Sequence, residues 1–374
     1  MPLCAALSIP AAGHAATVGK ASTPDVIIRV VRPEIGIGGD CNRPAIWLDG
    51  RLHIYESPYP QGDFKGGVNA CRVGESLDKM DSSVPVAPDR TRLADAAKPA
   101  FGPWFESVLA DSNGVLWAYY HAEFLHHNAS KIHPRIGAQV SKDKGATWTD
   151  LGILIDTPEG TDQIDTALGY NFTGGNGDCS AVLDEAGKYL YFFFSQYGSG
   201  AEDQGVGVAR MLWSDRAAPV GKVWKWNQGK WTEPGLGGHA GPFLHNAGDA
   251  HGRRGAQDFW WGPAIHRNTH LGRYVLLLNR SDCGGFTRKE QANWYTTSPS
   301  LEDPTRWDEP RPLPFPDGYL GGWYPQVIGP QPGETDKRAG AIARLFVAGV
   351  SKWEIQFLRP GETATKGVPA VAKP

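Results

Sequence analysis

Short apolar runs rich in β-branched and aromatic residues, separated by Gly-, Asp- and Asn-rich breaks, recur along most of the chain. Examples are Val26–Val31, Leu52–Ser57, Val115–His121, Tyr189–Phe194, Val206–Arg210, Tyr274–Asn279, Asn293–Thr297, Ala343–Ala348 and Ile355–Leu358. Runs of this length, bounded by Gly and Asn/Asp, predict strands. Asp49-Gly50 and Asn113-Gly114 stand between paired runs, where they predict tight hairpin turns. No stretch carries a helical period of useful length, so the chain reads as all-β.

The pattern also repeats. Aligned on the small residue or proline before an apolar run, five segments correspond: Asp40-Cys41-Asn42-Arg43-Pro44-Ala45-Ile46, Pro103-Trp104-Phe105-Glu106-Ser107-Val108-Leu109, Gly177-Asp178-Cys179-Ser180-Ala181-Val182-Leu183, Phe259-Trp260-Trp261-Gly262-Pro263-Ala264-Ile265 and Gly321-Gly322-Trp323-Tyr324-Pro325-Gln326-Val327-Ile328. Their aligned positions, 44, 107, 180, 263 and 325, are spaced 63, 73, 83 and 62 residues apart, a blade-like period stretched by insertions. The expected fold is a five-bladed β-propeller over 25–360. Val26–Val31, which precedes the first repeat, is expected to close the ring and cover the edge of the last blade. The stretches 84–103 and 217–255 read as insertions or long outer connections.

Composition narrows the partners. With 37 Lys+Arg against 40 Asp+Glu the net charge is −3, which gives no electrostatic footprint for nucleic acid, and no apolar stretch reaches membrane-spanning length. The expected partner is carbohydrate, without nucleic acid or membrane span, and no feature points to a particular oligomeric state. Residues 1–24 hold a Leu3–Ala16 stretch resembling the apolar part of a signal peptide with an A-x-A-like end, though no basic segment precedes it; the expectation is a secreted or periplasmic protein. Residues 361–374 read as a disordered tail. Removal of Cys4 with a signal would leave Cys41, Cys71, Cys179 and Cys283, an even set that permits disulfides in three pairings.

In a propeller the inner strands converge on the axis, so residues just before them crowd one mouth of the channel. That places Arg43, Glu106, Cys179, Gly262 and Tyr324 there, with Asn42, Phe105, Asp178, Trp261 and Trp323 one place earlier and Asp40 slightly further out. Glycoside hydrolysis needs one carboxylic acid and one carboxylate, and close carboxylates drive their pKa values apart. Asp40, Glu106 and Asp178 are therefore the catalytic candidates. Trp260, Trp261 and Trp323 offer stacking faces for sugar rings. The second strands run back to the same mouth and end in polar residues, making His121, Glu123, Arg135, Gln196, Asn279 and Arg280 expected substrate contacts beside Asn42, Arg43 and Tyr324. No cofactor is expected. Asp40 and Asp178 could attract a structural calcium, although no loop has a recognisable ligand spacing.

Ser141-Lys142-Asp143-Lys144-Gly145-Ala146-Thr147-Trp148 matches the Asp box S-x-D-x-G-x-T-W, a structural hairpin motif found in sialidases and in non-enzymatic propellers; Ser300–Trp307 is a degenerate relative. Arg43-Pro44-Ala45-Ile46 opening blade one, Glu106 opening blade two and Asp178 opening blade three resemble the five-bladed glycosidases of glycoside hydrolase family 43. That resemblance implies an Asp base from blade one, carried here by Asp40, an Asp that tunes pKa from blade two and a Glu acid from blade three. Here Glu106 and Asp178 exchange the last two residue types, so acid and tuner remain open between them. Alternatives are a sialidase-like site built on Arg43, Arg135 and Arg280 with Tyr324 and Glu106, a polysaccharide lyase using His121 and Tyr324, and a non-catalytic sugar-binding propeller.

Overall fold

The computed structural model describes residues 24–57, 69–93, 100–125, 131–163, 172–198, 203–246, 258–282, 291–319 and 321–364. Most of the signal-like segment and most of the C-terminal tail, like Cys4 and Cys283, lie outside these residues.

Five sheets succeed one another along the chain, antiparallel except where Arg338–Ala339 pairs in parallel with the inner strand of the fourth. Blade 1 runs Ala45–Leu48, Arg51–Glu56, Ala70–Ser76, Lys79–Pro85. Blade 2 runs Ala100–Ala110, Leu116–Leu125, Ile132–Ser141, Thr149–Ile155. Blade 3 begins Asn176–Leu183, Tyr189–Gln196, Gly205–Leu212, and blade 4 begins Asp258–Asn268, Arg273–Asp282, Gln291–Ser298. Blade 5 comprises Gln326–Ile328, Ile342–Val347 and Val350–Phe357, with Val26–Gly36 as its outermost strand in antiparallel register from Val26↔Phe357 to Gly36↔Val350. The N-terminal strand thus closes the ring, as the sequence predicts. Among the described residues no helix is long and apolar enough to cross a membrane.

Each blade buries both faces, one against each neighbour, which explains why its middle strands read as unbroken apolar runs. In Tyr189–Gln196, Phe192 and Phe194 pack toward blade 2 while Tyr191 and Phe193 pack toward blade 4. In Arg273–Asp282, Leu276 and Leu278 face blade 3 while Val275 and Leu277 face blade 5. Two more clusters fill the seams between blades 1 and 2, around Ile46, Val108 and Trp148, and between blades 5 and 1, around Ile54, Ile328 and Phe346. Five seams for five blades complete the ring.

The stretch 217–255, read as an insertion, contributes a hairpin, Trp224–Asn227 and Lys230–Pro234, that extends blade 3 outward and forms no sixth blade. The turn at Ser141–Trp148 is held by Asp143, whose carboxylate accepts from Thr147 N–H (2.9 Å) and from Thr147 Oγ1 (2.5 Å), while Gly145 takes φ +92° and Trp148 is buried against Tyr55 and Phe105. Cys41, Cys71 and Cys179 are buried free thiols.

Side chains at the repeat starts lace the inner strands together. Ser107 Oγ accepts from Ala181 N–H (2.8 Å) and Ser180 Oγ from Ile265 N–H (3.1 Å), so each aligned serine ties its blade to the next. Gln326 does the same across the closure: its Oε1 accepts from Arg43 N–H and its Nε2 donates to Arg43 C=O, both at 2.7 Å. Lys337 donates to Ser180 Oγ (2.7 Å) and pairs with buried Asp336, which accepts from Ala45 N–H. Gln326→Leu would strand two buried backbone groups at about 1–3 kcal/mol each. Its chemical-denaturation midpoint should fall by an amount equivalent to about 3 kcal/mol; an unchanged midpoint would remove Gln326 from the closure.

Candidate active site

β-Bulges aim the site. Antiparallel pairing slips between Phe105 and Ser107, between Gly177 and Cys179, and between Trp261 and Ala264. A bulged residue leaves the in–out alternation of its strand, and Glu106 and Asp178 are the residues skipped. Asp178 (φ +33°) and Tyr324 (φ +53°) both adopt left-handed backbone, uncommon for side chains of their size.

The bulges bring Glu106 and Asp178 together with His121, one donor atom of each lying within 4.8 Å of the others. Glu106 is wholly buried; Oε1 is 2.7 Å from His121 Nδ1 and Oε2 accepts from Asn42 N–H at 3.0 Å. His121 stacks on Trp104, ring centroids 4.8 Å apart and nearly parallel. Asp178 Oδ2 accepts from Tyr197 OH (2.6 Å) and Oδ1 from Tyr324 OH (3.3 Å). Asp40, half-buried on the loop before the first inner strand, and Glu123, two residues beyond His121, complete the group. Phe259, Trp261 and Tyr324, with Trp323 against them, form an aromatic wall beside Asp178.

The charges act on one another. Burial raises the Glu106 carboxyl; the His121 hydrogen bond opposes this and Asp178 adds to it. Burial alone would lower His121, yet its hydrogen bond and charge interaction with Glu106, helped by Asp178 and Glu123, hold it up at about 9. The same hydrogen bond thus favours the charged form of both partners, opposing the effect of burial on each. Burial, then Asp178, raises Asp40, while His121 and Arg43 pull it down. Burial pushes Glu123 to about 7, against His121 and with Asp178 and Asp40. Of the two carboxylates expected to attract calcium, Asp178 accepts from Tyr197 and Tyr324, while Asp40 receives no hydrogen bond among the described residues.

The side chains of the other sequence candidates are held by contacts of their own. Arg43 has no exposed surface; its guanidinium donates to the carbonyls of Ile37, Gly39 and Cys41 and so clamps the loop that carries Asp40. Asn42 is an axial tie, its Nδ2 donating to Cys179 C=O (3.1 Å) and Pro263 C=O (3.0 Å). Arg135 pairs with Asp156 (2.9 Å), which with Asp162 also grips His133. Arg280 lies over Trp260 and Trp294, and Trp260 packs in the seam between blades 3 and 4, on the other face of its strand from Trp261. Gln196 donates weakly to Ala240 C=O, and Asn279 accepts from Asn293. No arginine cluster of the sialidase kind is assembled by Arg43, Arg135 and Arg280. Tyr197, missed in the sequence, follows the second strand of blade 3 by one residue and belongs to no motif; only its place after the buried run Tyr189–Gln196 could have drawn notice.

No model of a known protein family matches the chain, and no curated protein does. Solved structures of similar architecture include a glycoside hydrolase family 43 endo-arabinanase from Bacillus licheniformis (14% identity over 88% of this chain and 96% of that one, TM-score 0.46). Others are an exo-β-1,3-galactanase from Phanerochaete chrysosporium (12%, 87% and 64%, TM-score 0.49) and an arabinanase from Bacillus subtilis (14%, 87% and 96%, TM-score 0.43). At these identities the likeness is one of fold.

Proposed function

We propose that the chain is a glycoside hydrolase that cleaves a poly- or oligosaccharide at the mouth of the propeller channel. The observation that carries this reading is the convergence of carboxylates from three blades, with Asp178 acting on both Asp40 and Glu106 beside the aromatic wall of Trp261, Trp323 and Tyr324. Close carboxyl groups are what acid and base need near neutral pH, and Trp323, the half-buried member of the aromatic wall, offers a face that suits the apolar face of a sugar ring. In this reading Asp40, whose carboxylate receives no hydrogen bond among the described residues, acts as base, and Asp178 supplies charge that acts on Asp40 and Glu106. The chemistry requires no cofactor. An exported location suits a polymer substrate and agrees with the signal-like stretch Leu3–Ala16.

The test is a panel of plant and bacterial polysaccharides, arabinan and β-1,3-galactan included, with aryl glycosides, read simultaneously for new reducing ends and for ultraviolet absorbance. Reducing ends without absorbance are expected. Absorbance from a new double bond would favour a lyase using His121 and Tyr324. Binding without cleavage would favour a sugar-binding propeller.

A further inference from the structure

We infer that Glu123 is the proton donor of this site, a role that rests on the glycoside hydrolysis proposed above. The argument begins by elimination. A donor must turn a carboxyl oxygen toward the departing group. Glu106 cannot, because it has no exposed surface and its two oxygens are committed to His121 and Asn42. In Asp178 both oxygens already accept, one from Tyr197 and one from Tyr324. Glu123 differs on both counts: it is only half-buried, and among the described residues its carboxylate receives no hydrogen bond.

Its position follows from strand geometry. Residues two apart on a strand share a face, so Glu123 looks to the same side as His121, with Phe101 and Pro134 opposite it in register. The charged groups that act on it are His121 on its own strand, Asp178 from blade 3 and Asp40 from blade 1. His133 and Arg135 on the adjoining strand are turned to Asp156 and Asp162. Burial, opposed by His121 and helped by Asp178 and Asp40, places the Glu123 carboxyl at about 7, so it holds a proton to give at neutral pH and can take one back.

The step balances. The glycosidic C–O bond breaks with its electron pair left on the departing oxygen, which takes the proton of Glu123. A water oxygen bonds to the anomeric carbon, and the proton that water loses passes to Asp40. Exchange with solvent reprotonates Glu123 and frees Asp40.

Leaving-group dependence tests this assignment. Against alkyl glycosides of the sugar identified by the panel, Glu123→Gln should lose on the order of 10²–10⁴-fold in kcat/KM. Against the matching dinitrophenyl glycoside, whose leaving group needs no proton, the loss should stay within about tenfold; on the alkyl glycosides the fall in wild-type activity as pH rises through about 7 should vanish in the variant. Glu123→Asp, which keeps the acid but withdraws it, should retain that pH limb and part of the alkyl glycoside activity. Equal losses on both substrates, or an unchanged pH limb in Glu123→Gln, would overturn the assignment. Independently of activity, difference infrared titration of wild type minus Glu123→Gln should show a protonated carboxyl disappearing near pH 7, and its absence would equally overturn it. Wild-type protein inert on both glycosides would instead sink the hydrolase reading, and Glu123's role with it.

Discussion

Asp178→Asn should lower kcat/KM for glycoside cleavage by on the order of 10²–10⁴-fold while the protein stays folded. Asparagine is the informative replacement because of where Asp178 stands. Its φ of +33° lies on the left-handed side, which Asn and Asp tolerate better than other residues with a Cβ, and it occupies the bulge between Gly177 and Cys179. The amide oxygen can still accept from Tyr197 or Tyr324, and the other hydroxyl can rotate to accept from the amide nitrogen. What is removed is the charge, and with it the push on Asp40, Glu106 and Glu123. Asp178→Ala should lose as much activity and in addition cost about 1–2 kcal/mol for a left-handed residue without a local hydrogen bond. Steady-state kinetics on the best panel substrate, paired with urea denaturation, separate the two effects. Near wild-type turnover in Asp178→Asn would take Asp178 out of the chemistry.

The ring was legible because its geometry forces a repeated local pattern. Each inner strand begins where the chain turns into the channel, which selects a small residue or proline followed by an apolar run, and two of those small residues, Ser107 and Ser180, prove to be the ties between blades. Outer strands carry no such signature. Lys79–Pro85 is largely exposed and pairs through its backbone, so nothing in its side chains announces a strand. The inner strand of blade 2 continues back to Ala100 through Gly102 and Pro103, residues that ordinarily read as a break.

Site residues were legible in position but not in direction. Alignment brings Glu106, Asp178, Asp40 and Tyr324 to one mouth, yet Arg43 at the same mouth turns inward to three backbone carbonyls. A local pattern cannot reveal that choice, because the carbonyls it satisfies belong to a loop whose path depends on blade 5. The partners of Arg135 and Arg280, Asp156 for one and Trp260 with Trp294 for the other, come from other parts of the chain, so no local pattern announces them.

Glu106→Ala should destabilise the fold by about 3–5 kcal/mol near neutral pH, the loss seen when one partner of a buried ion pair is removed. The substitution leaves His121 Nδ1 and Asn42 N–H without their acceptor in a fully buried place. It also removes what raises His121 to about 9, and burial, which alone lowers it, then takes over, so the imidazole should be neutral at pH 7. The sign of the pH dependence follows. In the wild type His121 binds its proton more tightly folded than unfolded, so its contribution is fully present below the ordinary value of 6.5 and is lost as pH rises through about 9. That contribution amounts to about 3 kcal/mol. The stability gap between wild type and Glu106→Ala should therefore be widest at the acid end of this window and narrow toward pH 9. His133, held at about 9 by Asp156 and Asp162 against the effect of burial, titrates alike in both proteins and cancels in the difference. Denaturation series at several pH values measure the gap, and histidine NMR should show the His121 resonance moving from a midpoint near 9 to one below 6.5. A gap that stays constant across the window would mean that Glu106 does not hold the His121 proton, and the buried pair at the centre of the site would have to be reassigned.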